Sequence, residues 1–251
     1  MLQKSEGIVI RTMDYGETNK IVTLFTRDAG KIALFARGAK KTRSRLSSVT
    51  QLFTYGHYLY FSGKGMGTLR QGESIDTFRG LQLDLLRTAY ASYIVELLDK
   101  LLEDRAPNPF LFELLSQTLH YMDEEVDPEV MKFIFETKMF DVAGIRPQLE
   151  GCINCKRTEG PFVFSVREGG LLCANCKRID PHYLRISETA LKLLRLFMHM
   201  DLKRLGKVSL KPETKNELKT VLSAYYEEYS GLKLKSKRFL DQLENMEGGS
   251  I

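Results

Sequence analysis

The sequence predicts an α+β protein of several domains, in which a small N-terminal β-barrel is followed by an all-α domain with a small inserted module. Three observations predict this class. Apolar residues recur at strand period up to about residue 79, they recur at helix period after it, and a cysteine-containing segment interrupts the helical part. With 251 residues, 43% of them hydrophobic and 27% charged, the composition is that of a folded protein and excludes disordered, collagen-like and low-complexity classes.

The first block, residues 1–79, predicts a barrel of about five strands. Turn residues such as Asp28-Ala29-Gly30 separate its short runs, and the glycine-rich stretch Gly63–Gly67 predicts a hairpin turn. About five strands within about 75 residues is the size of an OB-fold or an SH3-like barrel, and the strand pattern alone does not separate the two. The alternating apolar positions are Ile8 and Ile10, Ile21 and Phe25, Ile32 and Leu34, Phe53 and Tyr55, and Tyr58 and Tyr60.

The helical part carries clear capping signals. Asp127 followed by Pro128 opens a helix that ends at Gly144, and Ser187 opens a later one. Because neither helical half has enough apolar faces for a core of its own, we interpret the two halves as one domain. The predicted boundaries are 1–79 for the barrel, 80–144 and 183–245 for the two parts of the helical domain, 145–182 for the inserted module and 246–251 for a flexible tail.

Four cysteines in the inserted module have the spacing of a metal site. Cys152 and Cys155 form one C-x2-C turn, and Cys173 and Cys176, 17 residues later, form another. Two such turns place four thiolates around one zinc ion and leave no open position for catalysis. We therefore predict one structural Zn²⁺, whose binding supplies roughly 10–16 kcal/mol to folding. A redox dithiol is the alternative.

The net charge of +5 hides a segregation of charge along the chain. Residues 1–80 hold 13 Lys and Arg against 6 Asp and Glu, which gives +7. Residues 81–150 hold 6 against 14, which gives −8, and residues 151–251 hold 18 against 12, which gives +6. Two basic blocks separated by an acidic one suggest two surfaces suited to a polyanion.

The densest group of cations lies between two predicted strands, in the segment Arg37–Arg45. Five cations in nine residues, with Ser and Thr among them, suit a loop that follows a phosphate backbone. A solvated loop kept flexible by charge repulsion is the alternative. The five cations are Arg37, Lys40, Lys41, Arg43 and Arg45, with Arg11 and Lys31 as weaker candidates for DNA binding.

Aromatic residues of the barrel are candidates for stacking on bases, as in single-strand binders. About half of them must face the barrel core, and the sequence does not show which face is outward. Alternation places Tyr58 and Tyr60 on one face and Phe61 on the other. The candidates are Phe35, Phe53, Tyr55, Tyr58, Tyr60 and Phe61.

The sequence lacks the motifs of common enzyme classes. It contains no H-E-x-x-H, no G-x-S-x-G and no Walker A motif, and its four histidines are scattered. No apolar run approaches the ~18 residues of a membrane helix, and the first residues are polar where a secretory signal is apolar. We therefore expect a non-enzymatic cytosolic protein that does not contact a membrane.

The chain resembles the bacterial recombination mediator family RecO over essentially its whole length. Its predicted order of barrel, helical domain and four-cysteine module is similar to that of the family. The resemblance implies that the barrel is an OB-fold and that all four cysteines hold zinc. The residues that carry it are Glu6–Arg11, Asp14–Thr26, Gly30-Lys31, Ala36–Lys41 and Ser44–Leu46.

The resemblance implies a DNA-repair accessory protein of the cytoplasm and nucleoid. Members of the family bind single- and double-stranded DNA and anneal complementary strands coated with single-stranded DNA-binding protein. With the partner RecR they load the RecA recombinase, so RecA is an indirect partner. We expect the RecR contact on the barrel, without assigning residues to it.

The resemblance also implies that the helical domain binds the acidic, apolar C-terminal tail of single-stranded DNA-binding protein. The predicted helix 187–205 has a suitable composition, but core packing explains its apolar residues equally well. The partner-binding candidates are Lys192, Arg195, Phe197, Lys203 and Arg204, with Leu194 and Met198 beside them.

Two functions from other classes stay open. A zinc-ribbon RNA-binding or ribosome-associated factor would share the basic barrel and the cysteines, but it would prefer RNA and fail to anneal coated DNA. A zinc-containing repair nuclease or glycosylase would cleave its substrate in the presence of Mg²⁺.

Overall fold

The structure is a computed structural model that describes residues 1–63, 65–206 and 208–248. The described residues form nine β-strands and seven α-helices in two compact units. The first unit comprises Met1–Glu125 and the chain from Leu234 onward, and the second comprises Val126–Lys233. The boundaries predicted from the sequence stay a prediction, and residues 249–251 of the predicted flexible tail lie outside the described residues.

Five strands close into a barrel in the first unit. Strand β1 pairs antiparallel with both β2 and β4, β3 runs parallel to β5, and the order is β1-β2-β3-β5-β4. This Greek-key arrangement is that of an OB-fold and excludes the SH3-like alternative. The predicted hairpin between β4 and β5 is confirmed, with Lys64 outside the described residues. The strands are β1 (Leu2–Tyr15), β2 (Asn19–Thr26), β3 (Gly30–Ala36), β4 (Tyr55–Phe61) and β5 (Gly67–Asp76).

The barrel core is filled by alternate strand residues and closed by the long loop between β3 and β4. Tyr58 is fully buried, and its hydroxyl donates hydrogen bonds to the carbonyl oxygens of Val49 at 3.1 Å and Thr54 at 3.0 Å. Burial accordingly raises the pKa of Tyr58 well above its usual range. The core residues are Val9, Val22, Leu24, Leu34, Ala36, Ala39, Val49, Tyr58, Tyr60 and Leu69.

A β-bulge in β1 changes which of its residues face the core. Val9 lies opposite Leu24 in the core, but the register shifts between Val9 and Arg11, so Arg11 lies opposite Thr23. Because a bulge inserts one residue into one strand, the alternation of faces is reversed beyond it. Even-numbered residues of β1 therefore face outward before the bulge, and odd-numbered residues face outward after it.

Four helices belong to the first unit. The segment of helical period begins with two helices separated at Asp84, whose carboxylate accepts the N–H of Arg87 at 2.9 Å as the cap of the second. The last helix begins where Glu96 accepts the N–H groups of Lys235 at 3.1 Å and Ser236 at 2.8 Å. These helices are α1 (Arg79–Leu83), α2 (Leu85–Leu101), α3 (Pro109–Asp123) and α7 (Lys235–Gly248), and those of the second unit are α4 (Pro128–Ala143), α5 (Glu188–His199) and α6 (Pro212–Tyr229).

Helix α3 covers part of the outer face of the barrel. The ring of Phe112 lies 5.9 Å from that of Phe25 and 6.1 Å from that of Tyr55. The guanidinium of Arg27 lies 4.6 Å from the centre of the Phe112 ring. Arg27 pairs with Glu6 at 3.0 Å and with Glu113 at 3.3 Å, and the Tyr55 hydroxyl donates to Glu6. We call these four residues the Arg27 cluster. The Arg27 guanidinium lowers the pKa of Glu6.

The second unit combines three helices with a four-stranded sheet of order β6-β8-β7-β9. Phe140 of α4 contacts Tyr225 and Tyr226 of α6, with ring centroids 5.5 and 5.3 Å apart. Phe164 lies 5.5 Å from Tyr225 and so joins the sheet to α6. The strands are β6 (Gln148–Cys152), β7 (Phe162–Ser165), β8 (Gly170–Cys173) and β9 (Leu184–Arg185).

The predicted helix caps of this unit are confirmed. The Asp127 carboxylate accepts the N–H groups at the start of α4, Gly144 ends α4 with φ of 68°, and the Ser187 hydroxyl accepts the N–H of Ala190 at 3.2 Å. The predicted helix 187–205 is wrong in extent. Helix α5 ends at His199, and a separate 3-10 turn covers Leu202–Arg204.

No helix within the described residues is both long and apolar enough to cross a membrane.

Replacing Arg27 by Ala should destabilise the first unit by about 1–3 kcal/mol, because it removes the guanidinium that pairs with the carboxylates of Glu6 and Glu113. The pKa of Glu6 is lowered in the folded state, so the stabilisation is present above the unfolded pKa of Glu6 and is lost as the pH falls through the folded pKa. Urea unfolding at neutral and acidic pH measures both effects. An Arg27→Ala variant as stable as the wild type at neutral pH would contradict this role, and the exposed Arg70 provides the matched control, Arg70→Ala.

Candidate nucleic-acid interface and metal centre

The predicted basic loop, residues 37–45, is an ordered series of turns after β3. The N–H of Gly38, which has φ of 69°, donates to Asn19 Oδ1 at 2.9 Å, and the N–H of Lys40 donates to the carbonyl oxygen of Thr18 at 2.9 Å. Ala39 is buried in the barrel core between them. The backbone of the loop is thus fixed to the β1–β2 hairpin while its long side chains extend from the barrel.

Most cations of the loop have no partner within the part of the chain that the structure describes. Arg37, Lys41, Arg43 and Arg45 are exposed and form no ion pair or side-chain hydrogen bond there. Lys40 pairs with Asp14 at 2.7 Å, and this hydrogen bond lowers the pKa of Asp14. The loop therefore presents four uncompensated positive charges, an arrangement suited to phosphate groups.

Lys31 has partners inside the first unit, and its prediction as a weaker DNA contact stays a prediction. Its side chain is only 11% exposed, and its ammonium donates to the carbonyl oxygens of Asp99 at 2.7 Å and Leu102 at 2.8 Å. It also pairs with the carboxylates of Asp99 and Asp104, each at 3.3 Å. Lys31 thus caps the C-terminal end of α2. Arg11 is more exposed but pairs with Asp99 at 3.1 Å, so it remains a weak candidate.

The aromatic candidates divide between the core and the surface. Phe53, Tyr58 and Tyr60 are buried, whereas Phe35 is half-buried and Phe61 is 41% exposed. The predicted separation of Tyr58 and Tyr60 from Phe61 is confirmed. Tyr55 belongs to the Arg27 cluster.

Two further surface residues were missed by sequence reasoning. Tyr15 is 54% exposed, and its ring meets that of Phe35 edge-on at 5.7 Å. The guanidinium of Arg70 lies 4.8 Å from the centre of the Phe61 ring. Tyr15 faces outward because of the bulge in β1, which left no signal in the sequence.

The four cysteines are brought together as predicted. Their sulfur atoms all lie within 4.8 Å of one another, and those of Cys155 and Cys173 are 3.6 Å apart. Four sulfurs at about 2.3 Å from one ion, at the corners of a tetrahedron, are about 3.8 Å apart. The cysteines therefore lie close enough to bind a metal ion, and the donor set fits a closed thiolate site.

The local backbone of the two C-x2-C turns points their sulfurs inward. The N–H of Lys156, which has φ of 62°, returns to the carbonyl oxygen of Cys152 at 2.8 Å, and the N–H of Cys176 returns to that of Cys173 at 2.9 Å. The small core of this region consists of Leu172 and the buried cysteines, with a few partly buried neighbours. Since cysteines supply most of this core, its packing depends on the group that joins them.

The thiols differ in how readily they ionise. Burial opposes ionisation of Cys152, but N–H groups including those of Cys155 and Cys173 outweigh it and lower its pKa to about 6. Asn154 donates to the sulfur of Cys176, yet burial and the neighbouring cysteines raise the pKa of Cys176 to about 11. A metal held by four thiolates must therefore displace protons, so its affinity falls as the pH falls.

A cavity of about 530 Å³ lies between residues 158–162 and the start of α5. Lys192 and Arg195 line it, together with apolar Phe162 and Leu191. The Arg195 Nε–H donates to the carbonyl oxygen of Leu149 at 2.8 Å, whereas its buried Nη2 has no hydrogen-bond partner among the described residues.

The other predicted partner-binding residues are placed differently. Phe197 is 1% exposed and belongs to the core, and its prediction as a partner contact stays a prediction. Leu194 is likewise buried. Lys203 and Arg204 are exposed on the 3-10 turn that follows α5 and do not line the cavity.

We expect the purified chain to contain one metal ion, measured by inductively coupled plasma mass spectrometry. Cys173→Ser should abolish stoichiometric binding, because Cys173 supplies a buried thiolate of the cluster. Asn175→Ala, at an exposed position of the same turn, is the matched control and should retain the ion. Chelation at acidic pH should remove the ion more readily than at neutral pH. A metal-free wild type that unfolds at the same temperature as the loaded protein would contradict a structural role.

Two family models match the chain. The model described as Recombination protein O N terminal matches residues 1–78, and that described as Recombination protein O C terminal matches residues 82–238. The first match covers the barrel, and the second covers most of the helices and the four-cysteine region.

Curated relatives are similar over nearly the whole length. The chain is 59% identical over 246 residues to the DNA repair protein RecO of Halalkalibacterium halodurans, which covers 98% of this chain and 97% of that protein. It is 55% identical over 246 residues to the DNA repair protein RecO of Bacillus pumilus, and the match covers 98% of this chain and 96% of that protein. It is also 55% identical over 247 residues to the DNA repair protein RecO of Bacillus cereus, and the match covers 98% of this chain and 100% of that protein. The chain therefore belongs to the RecO family of DNA repair proteins.

Proposed function

We propose that this protein is a non-enzymatic mediator of homologous recombination. It binds single- and double-stranded DNA, anneals complementary strands coated with single-stranded DNA-binding protein and, with RecR, promotes the loading of RecA. Membership of the RecO family supports a role in DNA repair. The observation that carries the DNA contact is the set of exposed, uncompensated cations in the basic loop. Its place of action is the cytoplasm, at the nucleoid, because that is where bacterial chromosomal DNA lies.

The basic loop is suited to the backbone of either kind of DNA. Phosphate contacts carry no sequence information, so a loop that offers only charge and backbone turns binds any sequence. Fixing the loop to the β1–β2 hairpin limits the entropy that is lost when a strand is bound. Cations on a preordered loop therefore suit a protein that must act on any broken chromosome.

Annealing requires that the repulsion between two strands be screened. The first 80 residues carry a net +7 and the last 101 carry a net +6, so basic residues are available in both units of the chain. We propose that these charges screen the phosphates of the two strands while their bases pair. RecR binds on the barrel unit in this proposal, without assignment to particular residues.

We propose that the four cysteines hold one structural Zn²⁺. Zinc is the ion that four thiolates at this spacing most often hold, and a closed four-cysteine site leaves no position for substrate. Its contribution is to the folding of the small sheet and not to a reaction.

The cavity beside α5 is our proposed site for the C-terminal tail of single-stranded DNA-binding protein. The tail is acidic and apolar, and the cavity combines the cations Lys192 and Arg195 with the apolar side chains of Phe162 and Leu191. Glu188 also lines the cavity, and its carboxylate forms an ion pair with the Lys192 ammonium at 2.5 Å. Lys203 and Arg204 remain proposed as outlying cations for the acidic part of the tail.

Replacing all five cations of the basic loop with Ala should make the slope of log K against log salt for single-stranded DNA less negative by about 3.5, because each phosphate contact contributes about −0.7. The matched control exchanges Arg and Lys at the same five positions and should keep the wild-type slope. Fluorescence anisotropy with a labelled oligonucleotide at several salt concentrations measures both variants. Unchanged slope and affinity in the Ala variant would remove the loop from the DNA site.

Reversing the charge of Lys192, in Lys192→Glu, should weaken binding of a peptide with the sequence of the tail by about 5- to 30-fold, equivalent to about 1–2 kcal/mol. Lys177→Glu makes the same charge change at an exposed position that does not line the cavity, so it serves as the control. Isothermal titration calorimetry gives both dissociation constants. Equal weakening by the two variants would show a general effect of charge and overturn the assignment of the cavity.

A further inference from the structure

One of the four cysteines lies at the protein surface. Cys155 is exposed, whereas Cys152, Cys173 and Cys176 are buried, with exposures of 1%, 2% and 9%. The difference follows from their places in the fold. Cys152 is the last residue of β6 and Cys173 is the last residue of β8, but Cys155 lies in the turn beyond β6. A small solute therefore reaches the side chain of Cys155 before those of the other three.

The surroundings of Cys155 are electropositive. Each of the two C-x2-C turns is followed directly by two exposed cations. Because the four sulfurs lie within 4.8 Å of one another, both pairs of cations lie beside the same cluster. Partial exposure and nearby positive charge are the conditions in which cysteine thiolates react with electrophiles. The four cations are Lys156, Arg157, Lys177 and Arg178.

Cys173 lies where it can react with an oxidised Cys155. The two sulfurs are 3.6 Å apart and belong to different C-x2-C turns. A disulfide between them would remove one sulfur of each turn from the donor set. Two thiols would remain, whereas a closed structural zinc site uses four protein ligands. Formation of this bond is therefore incompatible with retention of the metal.

The cavity beside α5 is built on the first C-x2-C turn. The N–H of Cys152 donates to the carbonyl oxygen of Arg157 at 2.8 Å, and residues 158–162, which follow, line the cavity. Strand β6, which ends at Cys152, also holds Arg195 of the cavity, because the carbonyl oxygen of Leu149 accepts its Nε–H at 2.8 Å. The lining of the cavity thus depends on the cluster of cysteines.

We propose that Cys155 is an oxidation site, at which hydrogen peroxide produces a disulfide between Cys155 and Cys173, releases the metal and weakens peptide binding in the cavity beside α5. The inference rests on the proposed function, which places a structural Zn²⁺ in the cluster and the tail of single-stranded DNA-binding protein in the cavity. All four cysteines lie in the second unit, so the basic loop of the first unit keeps its cations when the cluster is oxidised.

The reaction has two balanced steps. The Cys155 thiolate attacks one oxygen of hydrogen peroxide, so that an S–O bond forms, the O–O bond breaks and hydroxide leaves. The Cys173 thiolate then attacks the sulfur of this sulfenic acid, so that an S–S bond forms, the S–O bond breaks and a second hydroxide leaves. Two thiolates lose two electrons in total, and one peroxide is reduced to two hydroxides.

The first test uses the metal-loaded wild-type chain. Hydrogen peroxide should release one ion per chain, followed by the absorbance of the chelator 4-(2-pyridylazo)resorcinol. Mass spectrometry of unreduced peptides should show a disulfide between Cys155 and Cys173. Dimedone, which traps sulfenic acids, should label Cys155 when it is present during the reaction. Dithiothreitol with added Zn²⁺ should restore the loaded protein.

The matched variants are Cys155→His and Cys176→His. Three cysteines and one histidine also form a common zinc site, so both variants keep four ligands. The first lacks the exposed sulfur, and the second keeps both Cys155 and Cys173. We expect peroxide to release the ion about tenfold more slowly from Cys155→His than from wild type, and within about twofold of the wild-type rate from Cys176→His. Metal content is measured for both before peroxide is added.

Three results would overturn the oxidation site. They are release from Cys155→His as fast as from wild type, dimedone on a different cysteine, and a first disulfide that does not include Cys155. A disulfide between Cys155 and Cys152 would overturn the assignment of Cys173 as its partner. If Cys155→His does not hold the ion, the dimedone label and the disulfide map of the wild type decide, since neither needs a variant.

Coupling to the cavity is measured by isothermal titration calorimetry with a peptide of the tail sequence. The oxidised chain should bind the peptide about tenfold more weakly than the reduced, loaded chain, and dithiothreitol with Zn²⁺ should restore the affinity. An oligonucleotide should bind the oxidised chain with the wild-type salt slope, which controls for general damage. Equal peptide affinity before and after oxidation would overturn the coupling. Failure of the proposed tail site appears separately, as a reduced, loaded chain that does not bind the peptide, and the metal release and disulfide map still test the oxidation site.

Discussion

The first unit depends on the contact between the barrel and α3, which is made by the Arg27 cluster. A barrel of this size has few core residues, and at this level its outer face is also apolar. Phe25 is fully buried, and the ring of Phe112 from α3 lies against it. The Arg27 guanidinium lies against the ring of Phe112 while its N–H groups pair with Glu6 of β1 and Glu113 of α3, so one side chain joins the apolar and the polar parts of the contact. The barrel is therefore stabilised from outside as well as from within.

Coverage by helices also determines where the barrel can bind. Helix α3 covers one level of the outer face and the end of α2 covers the next, through Lys31 and Asp99. Met13 and Tyr15, on either side of the Asp14 that pairs with Lys40 of the basic loop, remain exposed. A surface with uncompensated cations and exposed rings is thus left by the same packing that stabilises the unit. In the second unit, the four cysteines have a corresponding role, because they form most of the core around which the small sheet is packed.

Local signals in the sequence predicted local structure well. The caps at Asp127, Gly144 and Ser187 and the cluster of four cysteines are set by residues close together in the chain, and all are confirmed. The barrel was predicted by its strand period, but the choice of an OB-fold over an SH3-like barrel depends on strand order, which a single sequence does not contain.

Features that depend on distant residues were not predictable. Lys31 looks like a free cation because its partner Asp99 lies 68 residues away. Helical period could not show that Phe197 faces the core, since an apolar stripe suits a partner or a core equally. The bulge at Val9/Arg11 moves Tyr15 to the surface and has no signature in residue type, so the exposed ring was missed.

The most direct test of the account is strand annealing of two complementary oligonucleotides, each saturated with single-stranded DNA-binding protein. Folded, metal-loaded wild-type protein should anneal them, and the variant with Ala at all five cations of the basic loop should not. Failure of the wild type to anneal the coated strands would contradict the account and favour an RNA-binding function. Annealing by both proteins would contradict the assignment of the DNA contact to the barrel.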